Sequence, residues 1–581
     1  MPEARDLRWK ITHSKLWKSM FRHDFADTPR TRLQRVFGNV FLHLHPVRIP
    51  KDAIKITYSW GLGGISFLLF LILVISGIVL MFYYRPTAEH AFRDMKDLEF
   101  AVTLGMFWRN LHRWSAHAMV VAVILHMTRV FLTGAYKPPR EFNWSVGVLL
   151  LVMTLFLSYT GYLLPWDQLA LWAVTVGANM AAATPFLGAE GPFSVVSVKN
   201  DARFVLIGGT TVGEATLIRF YVLHCLFVPF LFTLFAAVHF WRVRKDAFSK
   251  QTGEKVDVWP HLVKVEFVAA LVVMALLFWL SIVVNAPLEG QANPTLTPNP
   301  SKAPWYFVGL QELLVYFDPW IAGVALPTII ILGLMAIPYV DTNSKGVGYY
   351  SVRERPLAST LFLFGLALWF TLIFIGYYCR GPNWEWYWPW EAWSHRRIMK
   401  QTLLNIPNLW GSLLLAAYVG QGFPVTAMVS QRLQEPLGNR AANRPLPADG
   451  TRLSQGFHVG LGLLLAASTL VPLIGDSTLF QTLGTSRNAP VLQWLFGITQ
   501  GGTSRFLWLA GLIVLSTVVL GWCGLQFARV KDRLWQDLGP IKYTIIMGLL
   551  LLMFGVLGKI FLRLLFGVKY ILSFPGMNFN I

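Results

Sequence analysis

Four histidines stand at spacings that could hold metal. Two lie in one apolar stretch, within Asn110-Leu111-His112-Arg113-Trp114 and Ile124-Leu125-His126-Met127. The other two lie in a second stretch, within Tyr221-Val222-Leu223-His224 and Ala237-Val238-His239-Phe240. The steps are 14 and 15 residues. At about 3.6 residues per turn each step is close to four turns, so each pair shares a helix face at two levels roughly 21 Å apart. Two such helices side by side present two facing imidazole pairs, a ligand set for two stacked bis-histidine haems. A lone histidine in a spanning helix is ordinarily a hydrogen-bonded packing residue, and His117, with no partner at matching spacing, is read that way. Four at matched levels are a stronger signal, because ionisable groups in lipid are costly and tend to mark function.

Glycines repeat the same step: Gly63 and Gly77 in the stretch before, Gly147 and Gly161 in the stretch after, each pair 14 apart. Such positions admit a flat ligand or a neighbouring backbone. Small-residue helix packing is the competing reading, and the shared step favours clearance for haem. Arg109, Arg113 and Arg129 flank the histidines and suit haem propionates, since arginine's forked donors match carboxylates; snorkelling to lipid headgroups competes.

Composition fixes the class. Of 581 residues, 55% are hydrophobic and 14% charged, with 24 Trp and 42 Phe. Apolar runs of about 20 residues, the length that crosses a bilayer core, recur throughout. The expectation is an all-α polytopic membrane protein of about eleven spans, with a four-helix haem-binding bundle in its N-terminal part. Spans are expected near 60–84, 107–132 and 144–164, around His224 and His239, then near 263–284, 321–340, 357–378, 410–429, 456–473, 507–527 and 543–565. The net charge of +20 resides in short loops, as orientation signals do, and excludes nucleic acid as a partner. Residues 1–55 are basic and expected to be cytoplasmic. His112 and His224 then lie near the outer surface, and His126 and His239 near the inner one. Cys225, Cys379 and Cys523 form no CxxC or CxxCH pattern, so no covalent c-type haem, zinc or iron–sulfur site is expected.

Longer motifs surround these residues: Phe82-Tyr83-Tyr84-Arg85-Pro86-Thr87, His112-Arg113-Trp114-Ser115-Ala116, Lys137-Pro138-Pro139-Arg140-Glu141 and Gly161-Tyr162-Leu163-Leu164-Pro165-Trp166-Asp167-Gln168. With them, residues 55–380 resemble cytochrome b of the Rieske–cytochrome b quinol oxidoreductases. The resemblance is nearest to the photosynthetic type, in which the histidine helices and the later helices are separate chains. It divides the chain into a basic segment 1–55, a dihaem core 56–250, a companion-subunit-like region 251–380 and an extension 381–581. It implies that His112 and His224 bind an outer haem b, His126 and His239 an inner one, both non-covalently. It further implies a quinol substrate, a Rieske iron–sulfur partner, a c-type cytochrome acceptor, a homodimer and a bacterial-type inner membrane.

Three departures from that pattern stand out. The cysteine that tethers an extra haem in the photosynthetic type is matched by about Gly61. The two companion subunits are fused here. The family's Pro-Glu-Trp-Tyr quinol motif reads Ala303-Pro304-Trp305-Tyr306, so Pro304 replaces the proton-accepting glutamate. Glu312 is the nearest acid and the expected substitute, with Asp318 second. Beyond residue 380, an aromatic cluster from Trp384 to Trp393 reads as an interfacial belt, and Lys559, Arg563 and Lys569 fall on the outer side, against the charge pattern. The extension is read as a docking or scaffolding module.

The implied reaction is bifurcated quinol oxidation, one electron passing to the Rieske partner and one to the paired haems. Two other classes compete. One is a haem-b membrane anchor for a quinone-linked dehydrogenase, the other a transporter with structural histidines.

Overall fold

The computed structural model describes residue 14, residues 28–38, 45–250, 253–394, part of 403–422, and 533–581. Its main helices are α1 Leu62–Met81, α2 Gly105–Leu132, α3 Glu141–Leu163, α4 Gln168–Ala182, α5 Glu214–Asp246, α6 Val258–Val283, α7 Trp305–Tyr316, α8 Trp320–Val340, α9 Pro356–Tyr378 and α10 Leu538–Phe566. All but α4 and α7 are long and apolar enough to cross a membrane, which gives eight spans among the described residues. These coincide with eight of the eleven expected. Of the rest, 456–473 and 507–527 lie outside the described residues, and 410–429 is described only in part. The expected surface helix near residues 6–22 and the cytoplasmic loop 431–454 also lie outside.

Three packed clusters hold these helices together. Leu69, Leu111, Met119, Phe232 and Leu277 form a core joining α1, α2, α5 and α6. Phe131, Trp144 and Val148 pack on Ile337 and Phe362, joining α2 and α3 to α8 and α9. Leu313, Tyr316, Leu372, Val556 and Ile560 then bind α10 to the companion region. Large apolar side chains such as Ile75, Leu125, Phe230 and Ile282 remain exposed on the bundle's outside, the side a bilayer covers. The chain is an integral membrane protein.

Proline shapes three spans. A wide, π-type turn occupies Leu223–Phe227 just before Pro229, another Trp320–Ala325 just before Pro327, and a third Val258–Leu262 around Pro260. Proline offers no N–H to the ladder, and a wider turn accommodates the gap. His224 sits inside the first of these turns.

Polar contacts lock the two halves at the His126–His239 end. Lys137 Nζ pairs with Asp341 at 3.4 Å, and Tyr136 donates its hydroxyl hydrogen bond to the same carboxylate. The fully buried Arg355 donates to Tyr136 Oη (3.0 Å) and Leu132 O (2.8 Å). Nearby, β1 Arg48–Pro50 pairs antiparallel with β2 Lys255–Asp257. Strand elsewhere is confined, among the described residues, to short pairs near the C-terminus: β3 Leu404–Asn405 with β4 Val568–Tyr570, and β5 Ser573–Phe574 with β6 Phe579–Asn580.

Candidate functional site: paired histidines and an apolar cleft

The four histidines meet in two pairs. His112 of α2 faces His224 of α5 with ring centroids 6.1 Å apart and planes at 78°. His126 faces His239 at 6.5 Å and 78°. A metal–nitrogen bond of about 2 Å on either side, added to the ring radii, separates two imidazole centroids by about 6 Å. Both pairs therefore have room for one metal ion between them.

Neighbouring groups set the orientation of the rings. Ser76 Oγ donates to Ile72 O (2.6 Å) and lies 2.9 Å from His112 Nδ1, so it receives the Nδ1 proton. His224 Nδ1 lies 3.0 Å from Leu157 O and donates there. In both rings this leaves Nε2 bare, the tautomer a metal requires.

Each of the four glycines lies against one histidine. A Cβ added at Gly63 would come 3.3 Å from His126 Cε1, at Gly77 3.2 Å from His112 Cε1, and at Gly147 3.5 Å from His239 Cε1. At Gly161 it would overlap the His224 ring, reaching 2.9 Å from its Nε2. The matched 14-residue steps thus place bare backbone at the level of each imidazole.

The arginines separate into different tasks. Arg113 lies over the Tyr162 ring at 4.5 Å, and its Nε is buried without a hydrogen-bond partner, which suits an incoming carboxylate. Arg129 donates from Nε to Tyr58 O (3.1 Å) and lies over that ring. Arg109 corrects the sequence expectation: both terminal nitrogens are taken, by Ala286 O and Pro287 O at 2.9 Å each. It fastens the loop after α6 rather than offering itself to a propionate. The bis-histidine geometry, the bare Nε2 atoms of His112 and His224 and the unpartnered Nε of Arg113 together fit haem.

That loop is held from several sides. Asn110 donates to Ser281 O (2.9 Å) and accepts from Ala286 N (2.9 Å). Asp167 caps α4 by accepting from Ala170 N (2.8 Å) and accepts from Glu289 N (3.2 Å). Burial holds the Asp167 carboxyl above the usual carboxylate range. Gln168 donates to Leu296 O (2.9 Å) and accepts from Asn293 N (3.0 Å). The Pro-Trp-Asp-Gln run is thus a mount for the loop.

An apolar cleft of about 1340 Å³ lies between the two halves, lined by Tyr159, Tyr162, Pro304, Trp305 and Tyr306 at one end and reaching Asn343 and Arg355 at the other. Trp305 donates from Nε1 to His117 Nδ1 (3.0 Å), so His117 is a bonded packing residue that also fixes Trp305. Tyr159 Oη is buried without a partner in the cleft wall, a feature sequence spacing does not reveal.

Neither expected acid lies in that wall. Glu312 is fully buried and accepts from Arg380 Nη2 (2.7 Å), Arg380 Nε (3.1 Å), Tyr316 Oη (2.6 Å) and Trp384 Nε1 (3.1 Å). A carboxylate so paired is a structural anchor, which corrects its expected role as proton acceptor. Asp318 accepts from Asn580 Nδ2 (3.1 Å) and Tyr570 Oη (3.5 Å), facing the C-terminal segment.

Two family models and several known proteins match parts of this chain. Residues 50–247 match the family model described as Cytochrome b/b6/petB, and residues 291–392 match Cytochrome b(C-terminal)/b6/petD. The second match runs past residue 380, where the sequence reading ended it, and takes in most of the aromatic cluster. Cytochrome b6 of Gracilaria tenuistipitata var. liui is 44% identical over 188 residues, 32% of this chain and 82% of that protein. Cytochrome b6 of Acaryochloris marina is 42% identical over the same shares. A solved structure titled Hyperthermophilic respiratory Complex III matches with a TM-score of 0.51 and 26% identity, over 60% of this chain and 89% of that one. The chain belongs to the cytochrome b/b6 family, with the b6-like and C-terminal-type regions joined in one polypeptide.

Proposed function

We propose that this chain is the haem-b subunit of a quinol:cytochrome c oxidoreductase, working with a Rieske iron–sulfur partner and a c-type cytochrome. The observation that carries the reading is the two facing imidazole pairs on α2 and α5. His112 and His224 would hold one haem, His126 and His239 the other. When bound, these groups supply one-electron transfer across the bilayer, at potentials tuned by ligation and burial.

Quinol enters the cleft at the His112–His224 end, the outer face by the charge pattern. Trp305 and Tyr306 form its wall there, and Trp305 is held by His117. Oxidation releases two electrons and two protons. The Rieske partner would accept one electron, and the groups held by His112, His224, His126 and His239 would supply the path for the other toward the opposite face. Among the described residues, the wall at this end offers Tyr159, Tyr162, Ser301, Tyr306 and Gln311 and no carboxylate. A proton acceptor from this wall would be a hydroxyl or a bound water, which departs from the motif's usual glutamate. Apolar packing around the four histidines keeps water out and the path insulated.

Assay of the purified complex tests this. Quinol-dependent reduction of a c-type cytochrome is expected, and Tyr306→Ala should lower it with haem content unchanged. Haem-replete complex that reduces no acceptor with any quinol would favour the membrane-anchor class instead.

A further inference from the structure

The cations at the end of α10 run against the charge pattern of the bundle. Elsewhere Lys137, Arg140, Arg242, Arg244 and Lys245 gather at the His126–His239 end, as orientation signals do. α10 starts beside Val340 and Leu357 and finishes, through Val556 and Ile560, beside Leu313 and Tyr316. Lys559, Arg563 and Lys569 thus lie at the opposite end, level with Glu312.

One of the three is explained locally. Lys559 is buried and donates to Lys569 O (2.6 Å) and Val568 O (3.3 Å), satisfying carbonyls beyond the helix end. The other two line a separate cavity of about 380 Å³ between α7, α10 and the segment after α9, together with Arg380, Tyr316 and Tyr570. Arg563 Nη1 is buried with no hydrogen-bond partner among the described residues. The Lys569 ammonium rests over the Tyr570 ring, 4.9 Å from its centroid. A buried guanidinium nitrogen left unbonded is costly, so the arrangement calls for an acceptor. Two carboxylates share the wall. Asp318 is committed to Asn580 and Tyr570, and the Glu385 side chain lines the cavity without a hydrogen-bond partner among the described residues.

We propose that this cavity binds the phosphate of a phospholipid headgroup. The forked donors of Arg563 and the Lys569 ammonium match phosphate oxygens, while the neighbouring Arg380 is neutralised by Glu312. Glu385 would receive the ammonium of an ethanolamine head. The volume falls within the range of about 300–1,000 Å³ common to small-molecule sites. The cavity lies at the end of a spanning helix, the depth at which headgroups meet protein. Occupation would neutralise the cations that oppose the bundle's charge pattern, and the extension would then be mortared to the companion region by lipid.

The test uses the full chain with its haem, purified in a phosphorus-free detergent. Phosphorus per chain is counted for the wild type and for the Arg563→Gln/Lys569→Gln double variant, and Tm is followed as phosphatidylethanolamine is added back. The wild type should retain about one more phosphorus per chain and gain Tm with added lipid, while the double variant should not; Arg563→Lys should recover part of the gain. An equal gain with inorganic phosphate alone would overturn the lipid source and leave a free-anion site. Equal phosphorus and equal Tm response in both proteins, each with an intact haem spectrum, would overturn the site altogether. Should the double variant fail to assemble, Lys569→Gln at its exposed strand position gives the same comparison.

Discussion

At His224 the ring is set by Leu157 O on one side and by bare Gly161 backbone on another, so two unlike substitutions should have one consequence. His224→Ala should remove the haem of the His112 pair and leave the His126–His239 pair loaded. Gly161→Ala should do nearly the same, because its methyl would overlap the ring, whereas Gly147→Ala, with 3.5 Å to His239, should be tolerated. Spectra resolved by stepwise reduction distinguish these cases. Tyr159→Phe removes a buried hydroxyl from the cleft, and loss of one substrate hydrogen bond should lower kcat/KM for quinol about two- to ten-fold with haem unchanged. The histidine and glycine levels were legible in the sequence because helix pitch alone aligns them. Glu312 was not, since its partner Arg380 is 68 residues away and only the fold brings them together.

Among elements, the link between α7 and the segment after α9 is the Glu312–Arg380 pair. Glu312→Gln or Arg380→Gln leaves a buried charge uncompensated and should cost about 3–5 kcal/mol, read as a large fall in Tm. If Glu312→Gln kept full stability and lost only quinol oxidation, the acid would regain the proton role. Asp167 joins α4 to the loop after α6. Asp167→Ala should cost about 0.5–2 kcal/mol as a lost helix cap, and Asp167→Asn much less. Burial raises the Asp167 pKa, so folding disfavours its ionised form relative to the unfolded chain. Stability from this group is full below its unfolded pKa and declines as pH rises through the folded one. Asp167→Asn should flatten that acid-side slope. The spans and the loop between α6 and α7 were legible from hydropathy and proline content. The clamps from Asp167 and Gln168 onto the loop were not, because they pair residues more than a hundred positions apart.

For the whole molecule, the fused halves meet through contacts that do not need the connecting chain. Lys137–Asp341, Arg355 with Leu132 and Tyr136, and Trp144 Nε1 with Leu334 O (2.6 Å) all cross the junction. Expressing the chain as two pieces divided between Lys250 and Gly253 should still give a co-purifying, haem-loaded complex. Pieces that never associate would show that the covalent link is essential. Arg563 and Lys569 depart from the loop-charge pattern, and both line the cavity between α7, α10 and the segment after α9.

The pairing of the four histidines is tested most directly by a reduced-minus-oxidised spectrum of the purified chain with haem counted per polypeptide. Two b-type haems per chain with no c-type signal is the predicted result. A folded protein without haem, purified from cells well supplied with it, would contradict the assignment of α2 and α5 as an electron path.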